Sequence, residues 1–183
     1  TMAEANWAVD LPSEVWALVA AHRGVVGACQ LMRVCKDAHA GGKEYLRTLP
    51  GLVVCGGRSS GVGIVSDVWR LDLATLRWEP MPALVTACSN HACCAVRGTL
   101  VLLGGVLPGS GRTSSVEMLS PSEEGGAFVD LPPLSCGGIE GAAAIAVDEN
   151  DSVAGQVLLL GGIDASCRIL STVQLVDLAT GVC

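Results

Sequence analysis

Aromatic residues are scarce in this 183-residue chain, at 3% of positions, with one tyrosine and one phenylalanine. Charge is scarce too: Lys, Arg, Asp and Glu make up 16%, against about a quarter in ordinary globular proteins. There are three histidines, His22, His39 and His91. No unbroken apolar stretch nears the ~20 residues that a membrane helix needs. Each shortage excludes something. Without long apolar runs, no helical membrane span is expected. With two histidines in the first fifty residues, the remainder keeps a single imidazole to activate a nucleophile, and no G-x-S-x-G elbow is present. TMAEANWAVD lacks the basic-then-apolar order of a secretory leader; a cytoplasmic or nuclear location is expected from the cysteines, which read as reduced thiols. Basic residues are also few after position 50. There, six arginines face thirteen acids and produce the whole net charge of −7. A field of that sign repels phosphate backbones, so nucleic acid is not an expected partner.

Apolar residues, in contrast, are abundant at 50% with cysteine counted, too many for a disordered chain. The nine cysteines are 29, 35, 55, 88, 93, 94, 136, 167 and 183. Their number is odd and most sit among apolar residues. They read as reduced thiols acting as small hydrophobes.

An internal repeat organises the chain after residue 50. LVVCGG ends at Gly57, LVLLGG at Gly105 and VLLLGG at Gly162. DLAT occurs at Asp72–Thr75 and again at Asp177–Thr180. The spacing from Gly57 to Gly162 and from Asp72 to Asp177 is the same 105 residues, so the markers stay in register. The middle copy carries Phe128 where the first has Trp78, after a longer turn in SPSEEGGAF. MPAL (Met81–Leu84) and LPPL (Leu131–Leu134) follow. Each unit reads as four short strands. One runs into Gly-Gly. The next alternates, so that Trp69, Leu71 and Leu73 share a face. A tight turn leads to the strand with the aromatic. A fourth, such as HACCAV, leads through an Arg97-Gly98 hairpin into the following glycine pair.

The glycines of LVVCGGRSSGVG could be mistaken for a phosphate cradle. Such a cradle needs a helix opening right after it, and a Walker loop needs Gly-Lys-Ser/Thr. Beyond Gly63 the chain alternates with period two instead. The glycines are expected to supply positive φ at strand exits and to let backbones approach closely. No cofactor is expected.

The Gly-Gly after an apolar strand, SDVWRLDLATLRW and the MPAL segment resemble kelch repeats, and the ~50-residue period agrees. The resemblance covers residues 51–183 and implies a mainly β fold built of propeller blades. About two and a half blades are present, whereas closed propellers need about 4–8. The chain is therefore expected to be part of a longer protein, with two sheet faces left uncovered.

The first fifty residues have helical spacing. Pro12 suits a first turn, and Glu14 suits the positive helix end. Val15, Leu18 and Val19 share a face, with Gly24 as the expected stop. A second helix is expected through Leu31, Val34, Cys35 and Ala38, ended by Gly41-Gly42. LPSEVW (Leu11–Trp16) and LMRVCKDAH (Leu31–His39) resemble an F-box over residues 9–48. Arg23 stands where an apolar residue is usual and Ala38 where a large aromatic is common. The resemblance implies docking to a Skp-type adaptor and through it to a cullin ubiquitin ligase core. By position, Leu11, Pro12, Val15, Trp16 and Val19 would meet the adaptor. Leu31, Val34 and Cys35 would hold the helical bundle and partly face the adaptor.

Sites for chemistry are few. Cys88-x-x-His91-x-Cys93-Cys94 offers zinc-type ligands, but adjacent strand residues point to opposite faces, so no metal site is expected. A copper oxidase on kelch blades would need tyrosines, and Tyr45 lies outside the repeats. Glu123-Glu124 and Asp148-Glu149-Asp151 read as solvated loops. Recognition is expected at the blade-end loops Arg58–Gly63, Leu107–Arg112 and Ala165–Arg168, with Arg58, Arg112 and Arg168 as candidate target contacts. The expected function is a substrate-recognition adaptor of a ubiquitin ligase, not an enzyme. The alternatives are a kelch scaffold without a ligase link and, behind it, an enzyme on a propeller.

Overall fold

A computed structural model describes residues 11–109, 111–120, 126–147 and 155–183. Glu123-Glu124, Asp148-Glu149-Asp151 and most of the SPSEEGGAF turn lie outside those residues. The chain divides into two compact units. The described part of the first is residues 11–53 with Arg70–Glu79. The second takes in Val54–Trp69 and Pro80–Cys183.

The first unit holds α1 (Ser13–Leu31) and α2 (Lys36–Thr48). Pro12 is the N-cap of α1, and Glu14 sits in its first turn. Gly24, expected to end the helix, instead breaks it internally at φ 69°, ψ −174°, and the helix resumes. The Cys35 thiol accepts a hydrogen bond from Ala38 N–H at 3.3 Å and caps α2. Gly41 and Gly42 do not end α2 as expected; both are buried inside it. A Cβ on Gly41 would lie 2.6 Å from Trp16 Cβ, and one on Gly42 2.6 Å from Met32 Cγ. Close packing of the two helices thus outweighs a propensity cost of about 1 kcal/mol per glycine. Buried Ala20, Ala28 and Leu46 form a small core with Ala74, joined by Leu31, Met32, Tyr45 and Leu73.

The described residues after position 50 contain strands and no helix. The first sheet has β1 (Leu52–Cys55), β2 (Val68–Asp72) and β3 (Arg77–Met81), in that order. The second has β4 (Ala92–Val96), β5 (Thr99–Leu103), β6 (Val116–Ser120) and β7 (Ala127–Leu131), antiparallel in the order β7-β6-β5-β4. The third has β8 (Ala143–Val147), β9 (Gln156–Leu160) and β10 (Val173–Asp177), in that order. The HACCAV strand β4 pairs with β5, the strand it leads into, with Val96 opposite Thr99. Arg97 (φ 51°) and Gly98 (φ 78°) make the tight turn between them, as the sequence suggests. The second and third sheets therefore start one strand earlier than the glycine markers imply.

The glycine pairs repeat one conformation: φ 51° and 101° at Gly56-Gly57, 65° and 109° at Gly104-Gly105, and 64° and 99° at Gly161-Gly162. Their hydrogen bonds repeat as well. Gly57 N–H donates to Cys88 O at 2.8 Å, and Gly105 N–H to Ile139 O at 2.7 Å. Each of these bonds ties a strand exit to the approach of the next repeat. The two DLAT segments are the same turn: Asp72 Oδ1 accepts from Ala74 N–H at 2.8 Å, and Asp177 Oδ1 from Ala179 N–H at 3.0 Å.

In the first sheet Val68 is buried, while Trp69 on the opposite face is exposed. One apolar core joins the second and third sheets. Val101, Leu103 and Val116 meet Val157, Leu159 and Val176 there, all at 1% exposure or less. The other face of the third sheet is open: Val173, the counterpart of buried Val116, is 61% exposed, and Ile145 and Leu175 are exposed beside it. This is the uncovered face expected of an incomplete set of blades.

Candidate functional site

The helical candidates fall into two groups. On α1, Val15 is exposed and Leu18 is 72% exposed; Leu11, Trp16 and Val19 are half-buried, and Pro12 is exposed. The buried side of the same helix carries Ala20, Gly27 and Ala28. Small residues thus face the core, and the larger aliphatic side chains are left outside. Val25 and Val26 beyond the Gly24 break are exposed as well. Leu31 is partly buried and packs against the alanine core. Val34 and Cys35 do not hold the bundle: Val34 is 64% exposed, and Cys35 is exposed and serves as a cap. Both lie in the short link between α1 and α2, where no facing helix covers them. The Trp16 Nε1–H is buried without a hydrogen-bond partner.

The blade-end loops of the second unit build a polar cleft of about 570 Å³, lined by Arg58, Ser89, Asn90, Val106, Arg112 and Glu140 among others. Three two-residue ladders position it. Arg58 pairs with Ile64, Arg112 with Val106, and Glu140 with Ile163. Of the predicted arginines, Arg58 and Arg112 line this cleft. Arg58 is exposed and has no ion-pair partner among the described residues. Arg112 is already engaged: its guanidinium meets Glu140 at 2.5 Å and donates to Cys167 Sγ at 3.3 Å. Asn90 Nδ2 donates to the other Glu140 oxygen at 3.2 Å. These contacts hold the Arg112 guanidinium above its ordinary value, with Cys167 the largest contribution. Arg168 pairs with Asp164 at 2.8 Å and is largely exposed. Its backbone and side-chain bonds hold the Asp164 carboxyl below the usual range. Glu140 is a cleft residue that sequence reasoning missed, because its partner lies 28 positions earlier in the chain.

The cysteine–histidine stretch is dispersed. Cys88 is buried and its thiol donates to Gly104 O at 3.3 Å. Burial pushes that thiol above its ordinary value. His91 Nδ1 is buried without a partner, and burial lowers its basicity. Cys93 is exposed and Cys94 half-buried, on opposite faces of β4. Cys93 instead interacts with Cys55: the contact raises the Cys55 thiol well above its usual value and lowers that of Cys93. The cysteines are only partly the small hydrophobes their neighbours suggest, since Cys35, Cys93, Cys136, Cys167 and Cys183 are exposed. Strand alternation and loop ends bring them to the surface.

One buried carboxylate escaped the sequence reading altogether. Glu117 on β6 is 5% exposed and accepts hydrogen bonds from Val85 N–H at 2.9 Å and Thr86 N–H at 3.1 Å. Burial pushes its carboxyl above the ordinary value and outweighs the two donors. It anchors the loop that follows Leu84, a structural duty.

Comparison with known proteins places part of this geometry. Residues 87–135 match the kelch motif model. Over 56 residues, 30% of this chain, the sequence is 39% identical to the Kelch domain-containing protein 10 of Xenopus tropicalis, covering 13% of that protein. Over 167 residues, 91% of this chain, it is 23% identical to the F-box/kelch-repeat protein SKIP30 of Arabidopsis thaliana, covering 40% of that protein. The solved structure of YjhT superposes with a TM-score of 0.54 over 68% of this chain and 39% of that one, at 12% identity. The chain thus spans well under half the length of each. The fold is mainly β and propeller-like, with two helices at the N-terminal side. Kelch repeats imply protein–protein interaction. Among the described residues, no helix is long and apolar enough to cross a membrane.

Proposed function

We propose that this chain is a substrate-recognition adaptor of a cullin-based ubiquitin ligase. The α1 region docks a Skp-type adaptor, and the kelch repeats hold the protein to be modified. One observation carries the reading: α1 buries alanine and glycine and leaves Val15, Leu18, Val25 and Val26 outside. A helix that serves only as a cap would turn those larger side chains inward, because each buried aliphatic side chain is worth about 1.5–3 kcal/mol. The name of the SKIP30 relative, which aligns across 91% of the chain, supports the same domain order. In this reading the chain makes no bond itself. It acts by proximity, raising the effective concentration of target and ligase core. The Arg58 side of the blade-end cleft is the proposed target contact.

Co-purification with a Skp-type adaptor tests this. The intact chain is expected to retain the adaptor. Leu18→Asp is expected to weaken capture at least 30-fold, the ~2 kcal/mol loss of an interface hot spot. Leu18 is 72% exposed, so the variant should fold normally. Val62→Asp, at 78% exposure on a blade loop, should leave capture unchanged. Absence of adaptor binding by the intact chain refutes the reading and favours a scaffold without a ligase link.

A further inference from the structure

Cys136 lies in the loop after β7, and Cys183 follows the turn after β10. They are 47 positions apart, yet their Sγ atoms are 3.0 Å apart. Both are free and exposed. The approach is held by groups other than the thiols. Ser135 N–H donates to Gly181 O at 2.8 Å, and Cys183 N–H donates to Ser135 Oγ at 3.0 Å. Gly181 N–H donates to Asp177 O at 2.8 Å, and Asp177 N–H to Val182 O at 3.0 Å, which folds the segment back. At Gly181, φ is +70° and a Cβ would lie 2.9 Å from Pro132 O, so the seat requires glycine.

We infer that Cys136 and Cys183 form a modification site, a dithiol that a low-molecular-weight disulfide of the glutathione class converts to an intrachain disulfide. Burial pushes the Cys183 thiol up, but hydrogen bonds from Cys136 and Ser135 outweigh it and hold it below its ordinary value. Burial and the neighbouring Cys183 push Cys136 up to about 12. Cys183 is therefore the first nucleophile. Its thiolate attacks one sulfur of the external disulfide, forms a mixed disulfide and expels one thiolate. The charge that suppressed Cys136 ionisation is then gone. Cys136 loses its proton to solvent and attacks Cys183 Sγ, and the second small thiolate leaves. Two protein thiols are oxidised, one external disulfide is reduced, and the two protons end on the released small thiols. The product closes a covalent ring that encloses the whole third sheet, from the loop after β7 to the turn after β10.

The test is oxidation of the intact 183-residue chain with glutathione disulfide, followed by peptide mapping and thermal melting. A Cys136–Cys183 cross-linked peptide should form before any other intrachain link. The melting midpoint should rise with it and return on addition of dithiothreitol. Cys136→Ser should stop the reaction at a glutathione adduct on Cys183, and Cys183→Ser should form neither product. Both replaced side chains are exposed, and Cys167→Ser serves as a control that should still cross-link. A first intrachain bond at Cys55–Cys93, or a glutathione adduct persisting on Cys183 in the unsubstituted chain, would overturn the inference.

Discussion

Replacing Gly105 by alanine should damage the fold far more than the same change at Gly57, although both are the second glycine of a repeated pair. At Gly105, φ is +109°, and an added Cβ would lie 2.7 Å from Ser89 O and 3.0 Å from His91 Cβ. The strained backbone costs about 1–3 kcal/mol, and forcing a methyl into a filled space costs about 1–3 kcal/mol more. Relief by backbone movement would stretch the 2.7 Å bond from Gly105 N–H to Ile139 O, at about 1 kcal/mol. The total is roughly 3–7 kcal/mol, comparable with the ~5–15 kcal/mol stability of an ordinary domain. At Gly57, φ is +101° but nothing lies within 4 Å of the added Cβ. Only the backbone cost of about 1–3 kcal/mol remains. Urea unfolding followed by circular dichroism measures the difference. The extra ~2–4 kcal/mol at Gly105, over a slope of about 1–3 kcal/mol per molar, should put the Gly105→Ala midpoint roughly 0.7–4 M below that of Gly57→Ala. Equal midpoints would refute the close-approach argument. A phosphate-cradle role would give another pattern, with stability intact and ligand binding lost at the open Gly57.

Three further outcomes follow from the same geometry. Leu159→Ala, at 1% exposure in the core between the second and third sheets, should cost about 2–5 kcal/mol, read as a lower urea midpoint. Glu117→Ala removes the acceptor for Val85 and Thr86 N–H and should cost about 1–3 kcal/mol, again by urea unfolding. The Glu117 carboxyl is raised above 4.5 in the folded chain, so the folded state holds that proton to higher pH than the unfolded state. Stability from this group is present below pH 4.5 and is lost as pH rises through the folded value. Glu117→Gln should abolish that part of the pH dependence, and an unchanged profile would refute the assignment.

The repeat was legible because its signals are local. A glycine pair needs positive φ wherever it occurs, and an Asp-Leu-Ala-Thr turn forms from its own side chains. Arg97-Gly98 announced its hairpin for the same reason. Long-range facts were hidden. Nothing in HACCAV says that it joins the sheet ahead of it, since strand pairing depends on partners. Gly41 and Gly42 looked like helix ends because propensity is read along the chain; their use as a contact surface for Trp16 and Met32 is visible only in space. The same holds for the site. Arg58 was readable as a loop cation. The binding of Arg112 to Glu140, the burial of Glu117 and the meeting of Cys136 with Cys183 all join distant positions.

Amide hydrogen exchange, with and without a Skp-type adaptor, tests the central proposal most directly. Added adaptor should slow exchange across Ser13–Leu31, most strongly around Val15–Val19, and leave β4–β10 unchanged. Protection confined to the sheets, with the helix exchanging as before, would contradict it.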